Sequence, residues 1–309
     1  MEELTIKRHD SPEDKSLKKE IEHSSPTLDQ SFKEILKSPL KVKDTKSQTK
    51  ETLVFNLNHT WLNSYYDSLI LRAGNEDERR NKELNEIYIK YRKAVIGWMI
   101  DVGDYFQLDP ITTHFAINML DKIQPNQNFS RLEWQMIAIA NILIASKFNE
   151  NAEDVPNLHT LEEITQQKIN NNTLLNYELW ILKNISWRID DVLPINLLSV
   201  QKEKMLKNTT EKDHKKVDEL FKLAFSFNEK IILNYQFNKF EVIKIAALSL
   251  FLAVKNSSYT PEWNKFHEEL TQTSTQEIKT FIQTHQELVN TLTNPINEEN
   301  KKEKTESTT

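Results

Sequence analysis

The chain has 309 residues, 38% hydrophobic and 28% charged, with no cysteine, three glycines, nine prolines and a formal net charge of −6. Lacking cysteine, it has no disulfide framework, thiolate nucleophile or cysteine-ligated metal centre; three scattered glycines cannot build a phosphate-cradling loop or dinucleotide fingerprint, which bring bare backbone against phosphate. Hairpin turns of the Asn-Gly, Asp-Gly or Gly-Gly type are missing, the acidic balance disfavours a general nucleic-acid binder, and the expectation is a soluble, intracellular, mostly helical protein of one large domain or two ordinary ones.

Residues 1–55 read as a disordered tail. Up to residue 52 it is rich in lysine, glutamate and serine with Phe32 as its only aromatic, too little apolar surface to offset the entropy of ordering. Of its Ser-Pro steps, Ser11-Pro12, Ser25-Pro26 and Ser38-Pro39, the last is followed by Leu40-Lys41. That basic residue makes Ser38 the phosphorylation candidate for a proline-directed kinase. The longest apolar run, Met136–Ala145 interrupted by Asn141, is far short of a bilayer span.

From His59 to Leu71 the pattern is amphipathic through Trp61, Leu62, Tyr65, Leu69 and Ile70, predicting an extra helix across the outside. Ala94, Val95, Trp98, Met99, Val102 and Phe106 then form one apolar stripe at helical spacing. Asp109-Pro110 reads as a helix start, with aspartate as N-cap and proline in the first turn. Its apolar face is Ile111, Phe115, Met119, Leu120 and Ile123, and Pro125 breaks it. Ser130-Arg131-Leu132-Glu133 is a capping box. The helix it opens is apolar nearly all round to Ser146, which marks a central helix enclosed by neighbours. Thr160-Leu161-Glu162-Glu163 repeats the capping pattern, and a further helix from about Asn172 to Ile185 has Leu175, Leu179, Leu182 and Ile185 on one face.

After Asp190, Asp191 and Pro194, helical signals resume at 195–205, 217–233, 240–254, 263–270 and 275–292, the third again the most apolar. Two five-helix units, each around an apolar third helix, indicate a structural repeat with little sequence identity. The predicted organisation is a first unit with its preceding helix at 56–190, a second at 191–292 and a solvated tail at 293–309.

No enzymatic constellation stands out. The eight histidines are scattered, neither His-Glu-x-x-His nor Gly-x-Ser-x-Gly occurs, and Glu76-Asp77-Glu78 reads as a solvated connection rather than metal ligands. No metal or cofactor is expected.

Tyr91-Arg92-Lys93-Ala94-Val95-Ile96-Gly97-Trp98-Met99-Ile100-Asp101-Val102, Phe106-Gln107-Leu108 and Ala116 through Leu120-Asp121-Lys122 together resemble the cyclin family: the first is similar to the opening of the cyclin box, the second to its Phe-x-Leu and the third to its Leu-Ala-Val…Asp-Arg. Arg131-Leu132-Glu133 through Ala145-Ser146-Lys147-Phe148-Asn149-Glu150 resembles the Lys-Leu-Gln…Ala-Ser-Lys-Tyr/Phe-Glu-Glu signature. Tyr177-Glu178 through Leu182-Lys183 and Trp187-Arg188-Ile189, then Pro194, follow the closing pattern. The resemblance covers residues 58–198 firmly and 199–292 loosely, and it stands nearest the cell-cycle A- and B-type cyclins.

The resemblance implies an all-α protein of two tandem five-helix cyclin folds with an extra N-terminal helix. It implies a non-catalytic regulator that forms a heterodimer with a cyclin-dependent serine/threonine kinase and positions its αC helix and activation segment. Lys147 and Glu178 would contact the kinase, flanked by Phe148 and Glu150. Arg92 and Asp121 would pair structurally within the first lobe. A groove formed by Tyr91, Ala94, Val95, Trp98, Asp101 and Gln135 would dock Arg-x-Leu motifs of substrates or inhibitors. At this groove the chain departs from the family, with tyrosine for methionine at 91, alanine for isoleucine at 94 and valine for leucine at 95. Gly97 and Asn149 each replace an acidic residue, and the tail has neither an Arg-x-x-Leu destruction box nor a Lys-Glu-Asn box. Residence in nucleus and cytoplasm follows by family inference, with no membrane and no nucleic-acid partner. The alternatives are a cyclin-fold transcription adaptor, disfavoured by the net charge and the missing zinc ribbon, and a helical scaffold that activates no kinase.

Overall fold

The structure, a computed structural model, describes residues 59–76, 85–124, 131–165, 168–257 and 263–293. The N-terminal tail with Ser38, the Ser130 cap and the tail beyond Thr293 lie outside the described residues. These residues form twelve α-helices and a 3-10 turn at Tyr235–Phe237, with no strand among them. No helix among them is long and apolar enough to cross a membrane, and no group of three or more metal-ligating side chains is clustered.

Five helices make the first bundle: α2 (Glu86–Phe106), α3 (Pro110–Ile123), α4 (Arg131–Asn149), α5 (Leu158–Thr165) and α6 (Asn171–Asn184). Asn85 caps α2 by accepting from the Ile87 and Tyr88 amides. At the other end Gln107 is left-handed, with φ 54°, and its amide and that of Leu108 satisfy the Asp104 and Gly103 carbonyls. Gly103 is required by packing, because a Cβ there would sit 2.3 Å from the Thr113 hydroxyl on α3. Helix α3 starts as expected, with Pro110 in its first turn and the Asp109 carboxylate accepting from the Ile111 amide at 2.8 Å.

The central helix is α4. Trp134 and every residue from Met136 to Ser146 are buried, against α3, α6 and α2. Its two polar interior residues, Asn141 and Ser146, donate to the carbonyls one turn back, each at 2.8 Å, so the small side chains do not interrupt the apolar contact. Helix α5 begins earlier than the Thr160 signal predicted. Asn157 is the residue that accepts from the Thr160 amide and hydroxyl, both at 3.0 Å, while Glu163, the glutamate of the expected box, lies 3.5 Å from His159 Nδ1.

The second bundle comprises α7 (Pro194–Lys207), α8 (Glu211–Leu233), α9 (Val242–Asn256), α10 (Lys265–Thr271), α11 (Thr275–Thr284) and α12 (Gln286–Thr293). Its centre is α9, buried without a break from Ile245 to Val254 and packed on α7, α8, α10 and α11. The helix expected over 275–292 is interrupted at His285, whose ring lies 4.7 Å from Phe240 and 4.9 Å from Phe281. That aromatic cluster turns the chain so that α12 returns to α8.

Helix α1 (His59–Glu76) runs past the predicted end, through Gly74. The sequence placed it with the first unit, but its buried face, Leu62, Tyr66, Leu69 and Ala73, joins the core of the second bundle. The Tyr66 hydroxyl donates to the Leu270 carbonyl at 2.7 Å and accepts from Gln201 Nε2 at 3.0 Å. Trp61 and Tyr65, also counted on the apolar face, are exposed and stack on each other at 5.1 Å. The helix face is thus set by the four-three-four spacing of the buried residues.

Two buried histidines give the fold a sign of pH dependence. Burial pushes the imidazoles of His114 on α3 and His267 on α10 down to about 4. In the unfolded chain both take up a proton near 6.5. Because the unfolded state then binds more protons, stability is fully present above pH 6.5 and is lost as pH falls toward 4. Each group steepens the decline by up to about 1.4 kcal/mol per pH unit in that window. Urea midpoints measured from pH 7 to 4.5 should fall accordingly, and His267→Gln should flatten the slope; equal slopes for the two proteins would refute the assignment.

Candidate functional site

The last turn of α4 and the middle of α6 bring Lys147 and Glu178 together. Lys147 Nζ donates to both carboxylate oxygens of Glu178, at 2.6 and 2.8 Å. Glu178 is 7% exposed as a residue, and the Lys147 side chain is 51% exposed. A cation in the last turn of a helix complements the helix dipole, while the carboxylate is held between α6 and the core. An ammonium has three N–H donors; two are directed at Glu178. The half-exposed lysine can therefore also meet an external acceptor.

The same two helices carry exposed apolar residues near this pair in sequence. Phe148 follows Lys147, is 52% exposed and meets Phe115 edge-on at 6.0 Å. Leu175 and Leu179, which the sequence put on one face with Leu182 and Ile185, are exposed. The buried stripe of α6 is instead Leu174, Glu178, Ile181 and, just beyond the helix, Ile185. The phase is shifted by one residue because Glu178, paired with Lys147, occupies a position that would otherwise be apolar. Trp187 beyond the helix is 63% exposed with φ 61°, a strained backbone setting for a bulky residue. Sequence reasoning missed Leu175, Leu179 and Trp187 as surface residues; no local signal marks the leucines, because the burial of Glu178 depends on its pairing with Lys147 on another helix.

Glu150, grouped with Lys147 and Phe148 in the sequence, is turned onto its own fold. One carboxylate oxygen accepts from the Asp109 amide and the Thr112 hydroxyl, both at 2.7 Å. Asn149 donates to the same Thr112 hydroxyl at 2.8 Å. These contacts pin the end of α4, and so Lys147, to the start of α3.

Arg92 and Asp121 form a bidentate pair, Nε and Nη2 at 2.6 and 2.7 Å from the two carboxylate oxygens. The pair reaches further than the first bundle. Arg92 Nη1 donates to the Ile232 carbonyl at 2.7 Å, and Asn238 Nδ2 donates to Asp121 at 3.2 Å, both from the second bundle. The Tyr88 hydroxyl also donates to Asp121, at 2.6 Å. Burial first, and then the Asp121 carboxylate, push that hydroxyl well above its ordinary range, so it remains a donor.

The predicted groove residues are unequally placed. Val95 is buried and Trp98 is only 9% exposed, so both belong as much to the core as to a surface. Tyr91, Ala94 and Gln135 are half-buried and Asp101 is exposed; Tyr91 meets Trp134 edge-on at 6.3 Å. Desolvation, and then the neighbouring Asp104 charge, raise the Asp101 carboxyl above its usual range. An arriving cation would relieve that strain. Gln135 Oε1 is buried with no hydrogen-bond partner.

A family model described as the cyclin N-terminal domain matches residues 71–190, and one described as the cyclin C-terminal domain matches residues 203–308. Among curated proteins, Cyclin-A2-2 of Arabidopsis thaliana is 26% identical over 192 residues, 62% of this chain and 43% of that protein. Cyclin-B1-3 of the same plant is 31% identical over 102 residues, 33% of this chain and 24% of that one. S-phase entry cyclin-5 of Saccharomyces cerevisiae is 27% identical over 107 residues, 35% and 24% of the two chains. The matches to these three relatives span about a quarter to under a half of the relatives' length. The X-ray structure of a viral cyclin from herpesvirus saimiri superposes with a TM-score of 0.53 at 20% identity, covering 70% of this chain and 93% of that one, a likeness of fold.

Proposed function

Because this chain belongs to the cyclin family, we propose that it is the regulatory subunit of a cyclin-dependent serine/threonine kinase and activates it through the Lys147–Glu178 face. The observation that carries this reading is the half-exposed lysine of a buried ion pair set among exposed Phe148, Leu175 and Leu179. A charged centre with exposed apolar side chains on the same two helices suits a helical partner face. It offers hydrogen-bonding groups whose geometry is already fixed, and so costs little ordering on association. A kinase whose αC helix alternates between two positions would be shifted toward the one this surface binds better. That position aligns its lysine, glutamate and ATP phosphates. Phosphoryl transfer then belongs to the partner.

Docking of Arg-x-Leu motifs on α2 forms part of the same reading. It is supported by exposed, desolvated Asp101, suited to the motif's arginine, and by unpartnered Gln135 Oε1, suited to a main-chain amide.

Pull-down with the full chain should recover a protein kinase whose activity toward a histone substrate rises on adding the pure chain. Recovery of a kinase with no rise in activity would favour the non-activating scaffold. Salt-sensitive binding to duplex DNA without kinase recovery would favour the adaptor.

A further inference from the structure

Between the two bundles lies a cleft of about 1330 Å³. Its walls come from the start of α2, from α3 and from the connection after α6 on one side. On the other they come from the end of α8, residues 235–240 and the α11–α12 junction. The bundles touch directly where α3 meets α7, and where α2 meets α8 and the turn at 235–237.

Two sets of polar ties accompany these contacts. One is the buried Arg92–Asp121 pair, with the Ile232 carbonyl and Asn238 as its partners in the second bundle. The other lies on the connection itself. Asp191 accepts from Asn118 Nδ2 at 2.9 Å and pairs with Lys122, both on α3, and Lys122 Nζ also donates to the Arg188 carbonyl at 3.1 Å. Three residues beyond Asp191, Pro194 opens α7, the first helix of the second bundle. The entry of the chain into that bundle is therefore fixed by α3 of the first. The neighbouring Asp190 pairs with Arg72 of α1 at 2.9 Å, but its side chain is 60% exposed where that of Asp191 is 13% exposed. Exposed pairs contribute little and buried ones are screened least, so Asp191 is the stronger tie.

The closed arrangement is held against two costs. Ser186 and Trp187, in the same connection, are left-handed at φ 54° and 61°, a setting that residues other than glycine keep only when their surroundings hold them there. Asn228 lines the cleft, and its Nδ2 is buried with no hydrogen-bond partner; entering water would satisfy it. Besides Asp121, Lys122 and Asp191, the carboxylates and cations of the walls are Glu86, Arg188, Lys239 and Glu287, all exposed, so these groups keep their water as the walls part.

We propose that the connection between the bundles is a clasped hinge: Asp191, held by Lys122 and Asn118, keeps the bundles at the angle that closes the cleft over His114 and Asn228, and loss of the clasp lets the cleft open. A few residues at element ends suffice to absorb such a pivot. The hinge is a property of the chain alone and does not depend on the proposed kinase surface.

The chain has no cysteine, so Lys183→Cys on α6 and Lys279→Cys on α11, both at exposed positions, give one unique pair of spin labels, one on each bundle. Double electron–electron resonance on the full chain should show a single narrow distance distribution. Asp191→Ala, and separately Lys122→Met, should shift that distribution and roughly double its width, while Asp190→Ala should leave it as it is. Diethyl pyrocarbonate reports on the cleft directly. His114 lines it and His267 does not, so His114 should be modified about tenfold faster in both clasp variants with His267 unchanged. Distance distributions and His114 rates equal to those of the wild type in both variants would overturn the proposal. So would His114 and His267 becoming reactive together, because that marks unfolding rather than a pivot.

Discussion

Replacing Asp121 by alanine is expected to destabilise the protein by about 3–5 kcal/mol, the cost of leaving one member of a buried ion pair without the other. Burial works against the Arg92 charge and Asp121 more than offsets it. Once the carboxylate is gone, the guanidinium loses both of its carboxylate acceptors while remaining buried beside the Ile232 carbonyl, and the Tyr88 hydroxyl and Asn238 amide lose an acceptor. Against a typical domain stability of about 5–15 kcal/mol this is a large fraction. Because the pair joins both bundles, circular dichroism and tryptophan fluorescence should lose their signals together, at a much lower urea midpoint. Arg92→Met with Asp121→Leu should recover much of the loss, since two apolar residues bury no charge. A midpoint for Asp121→Ala within about 1 kcal/mol of wild type would show that the pair is dispensable.

Reversing Lys147 and Glu178 separates an intramolecular bridge from a recognition surface. Either single reversal sets two like charges together against a buried position and should destabilise the fold. The double variant, Lys147→Glu with Glu178→Lys, restores an ion pair of opposite polarity, and its helical circular dichroism should match the wild type. If a kinase reads this face, the double variant should bind it about 30- to 1,000-fold more weakly, the range expected when a buried interfacial charge is mismatched. Binding and activation at wild-type levels by a folded double variant would remove the pair from the interface.

The parts of the fold that were legible in the sequence are those governed by local rules. The start of α3 followed from Asp109 and Pro110 because capping and ring geometry act within one turn. The burial of α4 and α9 followed from apolar residues on every side. What escaped was set across the fold. Leu175 and Leu179 could be assigned to the wrong face because the residue that fixes the phase of α6, Glu178, is neutralised by a lysine 31 positions away. Of the site itself, the Lys147–Glu178 and Arg92–Asp121 pairings were legible from the resemblance. The grip of Arg92 on the Ile232 carbonyl was not, since every residue offers a carbonyl and only the path of α8 selects that one. Glu150 was grouped with a contact surface by its place in a motif, whereas the open amide at Asp109 drew its carboxylate inward.

The docking of α1 onto the second bundle has a consequence for the order of events during synthesis. Its partners include Gln201 and the Leu270 carbonyl, more than 130 and 200 residues further along the chain. While α2–α6 are assembling on the ribosome, the apolar face of Leu62, Tyr66, Leu69 and Ala73 has nowhere to go. It waits uncovered until α7, α9 and α10 have emerged. Among the described helices, the first to be made therefore settles only after α10, and a nascent chain halted near residue 200 would present that face to chaperones.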